Sequence, residues 1–191
     1  MGLTYGYDVY LRPWNVAGAL TAVAGLAPPS RDVPPLDVTL PGGERVTLPF
    51  TSGFGSEPVD CFGSETLNLD TSLMFPVDDA VRAYAESYGL PPEEGGRVRI
   101  GYVYLTVRFR SFLDPGYAAL EFWAPTSGIS RLFERSASIR QTFTGLAAAV
   151  GGVCCQFDRG DGGPGEVCWV SGEADSPPAP SSRQLLPDEA S

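Results

Sequence analysis

The side chains able to do chemistry in this chain are few in kind. All thirteen basic residues are arginine, and the 191 residues include neither histidine nor lysine. That removes the Ser-His-Asp and Cys-His nucleophile pairs, the imidazole base and His-ligated zinc. It also removes Schiff-base chemistry and a complete Walker A loop. Carboxylates, tyrosines, four cysteines and the arginines remain. Arginine stays charged at any working pH, so it binds and stabilises charge but shuttles protons poorly.

Four groups of residues are candidates for a site. The first is Tyr102, Tyr104, Arg108, Arg110, Tyr117, Glu121 and Trp123. They alternate with apolar residues along two successive strands, which puts them on one outer face of a hairpin. Tyr, Trp and Arg dominate binding hot spots, so this face reads as an interface. The competing reading is a second packing layer, with helices over the face and Arg108 and Glu121 as an ordinary cross-strand pair.

The second group is Cys61, Cys154, Cys155 and Cys168. Adjacent strand residues point to opposite faces, so at most one of Cys154 and Cys155 converges with Cys168. Nothing has CxxC spacing, and no metal site is expected. Small buried hydrophobes is the plainer reading. The third group is Asp8, Asp70, Glu121 and the Asp78–Asp79 pair. Glycosidase-like acid–base work needs two carboxylates fixed across a cleft, and no motif fixes such a pair. Asp78 and Asp79 fit a helix N-terminus better. The fourth is Arg131, Glu134, Arg135 and Arg140, among Ser130, Ser136 and Ser138. It suits either a phosphate or carboxylate near a helix start or a salt-bridged solvated face. The glycines at 151–152 and 160–165 close a helix and fill a hairpin, so they are not nucleotide loops. No catalytic residue and no cofactor is assigned.

The elements that must position these groups follow from periodicity and punctuation. Thr4–Leu11 reads as a strand, and 13–26 as an amphipathic helix opened by Pro13. Strands at 37–40 and 45–50 flank Pro41-Gly42-Gly43-Glu44, a hairpin turn. Residues 51–65 read as a loop and 66–75 as a strand. A helix opens at Pro76 and closes at Gly89. Strands 97–112 and 117–123 meet at Asp114-Pro115-Gly116. The simplest register of that hairpin sets Arg108 near Glu121 and Thr106 near Trp123. A short helical turn is expected within 127–136. Ser138 with Gln141 suggests a capping box for the helix that follows. Two strands, 153–158 and 166–171, close the domain.

The expected fold class is therefore α+β, a mainly antiparallel sheet with three helices on one face. One domain covers 1–171, and a flexible, acidic, Pro- and Ser-rich tail covers 172–191. Strand–helix–hairpin at 4–50 recurs at 117–171, which suggests two related halves.

The formal net charge is −10. Such a chain repels nucleic acid and anionic membrane surfaces, and it is compatible with a basic protein partner. No segment approaches the roughly 18 apolar residues of a membrane span, and the N-terminus lacks the basic and apolar regions of a signal peptide. The expected location is cytoplasmic, with the cysteines as free thiols.

Four segments carry a resemblance: 5–11 (YGYDVYL), 50–54 (FTSGF), 73–81 (LMFPVDDAV) and 130–136 (SRLFERS). Over about residues 4–171 the chain resembles a family of small acidic actinomycete proteins, of Streptomyces type, that has no assigned activity. The resemblance carries over no catalytic residue. In general character the chain also resembles the immunity proteins of bacterial toxin systems.

These observations give a leading expectation, a non-catalytic protein-binding module of inhibitor or immunity type acting through the aromatic-Arg face. The alternative is a small-molecule, anion-binding protein or enzyme using Arg with Glu, Tyr or Cys. A structural subunit is a third.

Overall fold

The computed structural model describes residues 3–29, 34–92, 95–111, 114–163 and 165–172. A six-stranded antiparallel sheet carries the fold, in the order β5-β6-β7-β1-β8-β9. Its strands are β1 (Gly6–Leu11), β5 (Thr66–Pro76), β6 (Arg97–Arg108), β7 (Ala118–Trp123), β8 (Gly152–Asp158) and β9 (Glu166–Val170). A smaller sheet, β3-β2-β4, joins β2 (Leu36–Thr39) to β3 (Arg45–Leu48) antiparallel and to β4 (Val59–Asp60) parallel.

The inward residues of the large sheet include Tyr7, Val9, Val103, Leu105, Leu120, Phe122 and Phe157, all essentially fully buried. They share one core with the buried residues of α1 (Val16–Ala24), α2 (Asp79–Tyr88), α3 (Ser127–Arg135) and α4 (Ala137–Ala149). Phe143 of α4 sits at its centre, with ring centroids 4.7 Å from both Tyr7 and Phe122 and 5.8 Å from Phe133. The Tyr7 hydroxyl donates to the Phe133 carbonyl at 3.0 Å, which satisfies a polar group in an apolar interior.

The α+β class and the antiparallel sheet are as expected. Among the described residues the α-helices are four, not three. The added one is α3, which the sequence suggested only as a short turn. Its start is well specified, because Thr126 accepts from the Ile129 N–H at 3.2 Å. Ile129, Leu132 and Phe133 then give it a buried stripe. The expected capping box is also displaced. Ser136 caps α4 by accepting from Ile139 N–H at 3.1 Å, while the Ser138 hydroxyl donates to the Pro76 carbonyl at 2.7 Å. The first hairpin, β2–β3, lies in the small sheet, whereas β8–β9 lies in the large one. The tail expected at 172–191 lies outside the described residues from 173 onward.

One irregularity decides which way β6 shows its side chains. Ser72 pairs with Tyr102 and Met74 with Arg99, so β6 carries one extra residue there. Gly101 takes up the bulge with φ +109. Before it Val98 and Ile100 point inward; after it Val103, Leu105 and Val107 do. The change of phase aims Tyr102 and Tyr104 at the outer face.

Candidate functional site

The outer face of β6 and β7 holds five of the seven hairpin candidates, while Arg110 stands just after β6 and Tyr117 just before β7. Tyr104 pairs with Trp123, Thr106 with Glu121 and Arg108 with Ala119. Even positions meet odd ones as expected, but the register is two residues away from the Arg108–Glu121 pairing. A hydrophobic alternation is satisfied by any even shift, so the turn decides between registers. That turn is closed by Ser111 N–H donating to the Tyr117 carbonyl at 2.7 Å. Arg108 instead reaches Glu121 diagonally, with Nε 2.6 Å from Oε1. The pair is mostly buried, with side-chain exposures of 24% and 10%.

The seven residues do not form one uniform surface. Tyr102 and Tyr104 are 55% and 40% exposed, Trp123 is half-buried and Glu121 is buried. Arg110 and Tyr117 stand at the turn end of the hairpin, Arg110 exposed and Tyr117 half-buried.

The exposed end gains a residue that the sequence did not single out. Phe54 lies 65% exposed and edge-on to Tyr102, with centroids 5.8 Å apart at 88°. Its φ is 60, the left-handed region that a bulky residue rarely occupies. The loop carrying it is tied to β5 at three points. Thr51 and Asp70 exchange backbone hydrogen bonds at 3.3 and 2.8 Å. The Ser52 hydroxyl donates to the Asn68 carbonyl at 2.8 Å, and the Phe54 N–H donates to Asp70 Oδ2 at 2.6 Å. The available signal was an aromatic between two glycines, Gly53 and Gly55, in a Ser- and Gly-rich loop.

The carboxylate candidates separate accordingly. Asp70 anchors that loop. Asp8 is the cross-strand neighbour of Glu121 on one side and of Gln156 on the other, and all three are buried. Asp78 caps α2 through Val81 N–H at 2.8 Å and also accepts from Ser138 N–H at 2.9 Å and the Ser136 hydroxyl at 2.8 Å. Burial pushes its carboxyl up, but these three donors more than offset that, and its pKa lies below the usual carboxylate value.

Of the arginine cluster, Arg140 and Glu134 are ion-paired, while Arg131 and Arg135 have no ion pair among the described residues. Arg140 meets Glu166 at 2.7 Å, and Arg159 meets Glu134 at 3.3 Å and Glu166 at 3.7 Å. This is the salt-bridged face, formed between α3, α4 and the β8–β9 hairpin. None of the four cysteines is disulfide-bonded. Cys155 faces the main core, and Cys154 faces the other side with Tyr10 and Ala119. Burial pushes the Cys61, Cys154, Cys155 and Cys168 thiols up. Among the described residues no group of three or more Cys, Asp or Glu side chains is placed to hold a metal ion. Among the same residues no helix is long and apolar enough to cross a membrane.

At the turn end of β6 an open cleft of about 900 Å³ is lined by Trp14, Leu40, Pro41, Glu65, Arg108 and Arg110, among others. Next to it the Arg12 guanidinium stacks on Tyr117, 4.5 Å from the ring centroid, with Trp14 at 5.9 Å. The outer face thus runs from an aromatic patch, through a buried ion pair, to an arginine-bearing cleft. No protein-family model, curated protein or solved structure matches the chain.

Proposed function

We propose that this chain is a non-catalytic protein-binding module that engages its partner through the outer face of β6, with Phe54, Tyr102 and Tyr104 as anchors. The observation that carries this reading is the posture of Phe54. A left-handed backbone costs an L-residue roughly 1–2 kcal/mol. Glycine would remove that cost, yet the loop spends a charge-assisted hydrogen bond to hold a large apolar ring out in water. Strain kept at an exposed aromatic is the mark of a contact residue. The net charge of −10 favours a basic partner. An inhibitor or immunity role in the cytoplasm fits that acidity, as does membership of the small acidic actinomycete family that the sequence resembles. A relation between the halves 4–50 and 117–171 rests on the strand–helix–hairpin order read from the sequence alone, since the second half holds two helices, α3 and α4, and its hairpin lies in the other sheet.

The experiment is site-specific crosslinking in the native host. A photoreactive phenylalanine analogue replaces Tyr102 in the full chain, and a second chain carries it at the exposed Glu86 of α2. The expected result is one dominant protein adduct from position 102. Excess wild-type chain should suppress it, and excess Phe54→Ser/Tyr104→Ala chain should not. Equal adducts from both positions, no suppression by the wild-type chain, or suppression by the Phe54→Ser/Tyr104→Ala chain would reject the reading.

A specific observation also favours a second reading, a small-anion binder. It is the cleft beside Arg12 and Arg110, which is lined on one side by the exposed Trp14.

A further inference from the structure

The cleft is assembled from stretches far apart in sequence: Pro13, Trp14 and Val16; residues 40–42 with Glu44; residues 63–66; and residues 108–111 with Pro115. Trp14, on its wall, is 75% exposed. The Arg12 guanidinium carbon lies 4.5 Å from the Tyr117 ring centroid and 5.9 Å from that of Trp14, which places it at the rim of the cleft, next to the lining. Arg82, Arg108, Arg140 and Arg159 each have a carboxylate oxygen between 2.6 and 3.3 Å away. Neither Arg12 nor Arg110 has an ion-pair partner among the described residues, in a chain where acids outnumber bases 23 to 13.

The lining also sets limits on charge and shape. Glu44 and Glu65 face the same space, so a multiply charged anion such as a phosphate monoester is opposed. A single negative charge is not. Much of the remaining wall is apolar or flat: Trp14, Leu40, Pro41, Phe109 and Pro115. A flat apolar body can lie against Trp14 while a carboxylate takes the two-pronged hydrogen bond that arginine offers.

We infer that the cleft binds a monocarboxylate with a flat apolar body, its carboxylate on Arg12 in the field of Arg110 and its body against Trp14. The inference rests on the second reading above and is independent of the Phe54–Tyr102 face. The same chemistry is presented by a free aromatic acid and by the C-terminus of a peptide ending in an aromatic residue.

The test uses the ¹⁵N-labelled full chain and follows its indole N–H resonances, with Trp14 assigned by Trp14→Phe. The probes are phenylacetate, phenylacetamide, inorganic phosphate, and the dipeptide acetyl-Ala-Phe as acid and as amide. The expected result is a saturable shift of Trp14 with phenylacetate and none with phenylacetamide. Arg12→Gln, checked for an unchanged thermal midpoint, should weaken binding at least about tenfold through loss of a charge-assisted hydrogen bond. Tighter binding of the acid dipeptide than of phenylacetate would identify a peptide C-terminus as the source, and the reverse a free acid. Equal shifts with acid and amide, or an Arg12→Gln chain that binds like wild type, would overturn the inference. Binding of phosphate alone would overturn the carboxylate while leaving an anion site. No shift with any probe would remove both the inference and the anion-binding reading.

Discussion

The backbone N–H of Phe54 donates to Oδ2 of Asp70 over 2.6 Å, and that bond holds an aromatic ring at the tip of a left-handed turn. Asp70 is itself buried in β5, so the sheet dictates where the ring stands. Asp70→Ala should lower stability by about 1–3 kcal/mol, because it leaves loop donors without their acceptor. Phe54→Gly should do something different. It relieves roughly 1 kcal/mol of backbone strain and forfeits about as much aromatic contact with Tyr102. Urea unfolding should therefore place it within about 1 kcal/mol of wild type, while partner crosslinking at position 102 falls away. A Phe54→Gly chain that is clearly destabilised would mean that the ring supports the fold.

The diagonal pair of Arg108 and Glu121 makes a prediction about sums. Breaking a mostly buried pair from one side leaves a charge without its partner, so Arg108→Leu and Glu121→Leu should each cost on the order of 3 kcal/mol. The double variant should cost less than the two singles added together, because neither charge is stranded. A double-mutant cycle in urea measures this. Additive losses would show that the pair is uncoupled.

Asp78 predicts a pH dependence. Its carboxylate form is the one that the fold holds, since three donors pull its pKa below the ordinary value. Its contribution is complete above the unfolded value of about 4 and is lost as pH falls through the lower folded value. Asp78→Ala should cost about 1–2 kcal/mol at neutral pH as a lost cap. The gap between it and wild type should close on acidification below about pH 4. Glu166, held low by its hydrogen bond to Arg140, adds to wild-type acid sensitivity in the same direction. A gap that persists unchanged to about pH 2 would contradict the assignment.

Thiol kinetics should separate the cysteines. Cys61, Cys154 and Cys155 are essentially inaccessible, and burial pushes all four thiols up. A charged aromatic disulfide reagent at neutral pH should therefore react slowly with the native protein, first at the half-buried Cys168. The denatured, unreduced chain should release four equivalents at once. Fewer than four would point to oxidation, and a fast native phase to an activated thiol.

What the sequence made legible was local. The alternation of 103–109 and 118–122 identified two strands and their inward faces, and Gly89 marked the end of α2, whereas its start, expected at Pro76, falls at Asp79 behind the Asp78 cap because Pro76 still belongs to β5. What it hid depends on distant partners. The parallel pairing of β4, two residues long, with β2 has no local signature. The hairpin register was open to any even shift until the turn fixed it. Phe54 looked like a residue in a loose loop because Asp70, sixteen positions away, supplies the order. The cleft was invisible for the same reason, although Arg108 and Arg110 on its wall had been singled out for the sheet face.

The bulge at Gly101 has a further consequence. A Cβ there would meet nothing nearer than Ile129 Cδ1 at 3.7 Å, so glycine is required by backbone sign and not by space. Beyond the bulge, β6 is divided strictly between one set of side chains owed to the interior and another owed to the outside. Mutation can therefore rewrite Tyr102, Tyr104 and Arg110 one at a time while the inward valines and leucine stay as they are. A chain built this way can change what its outer face presents without renegotiating its own fold at each step.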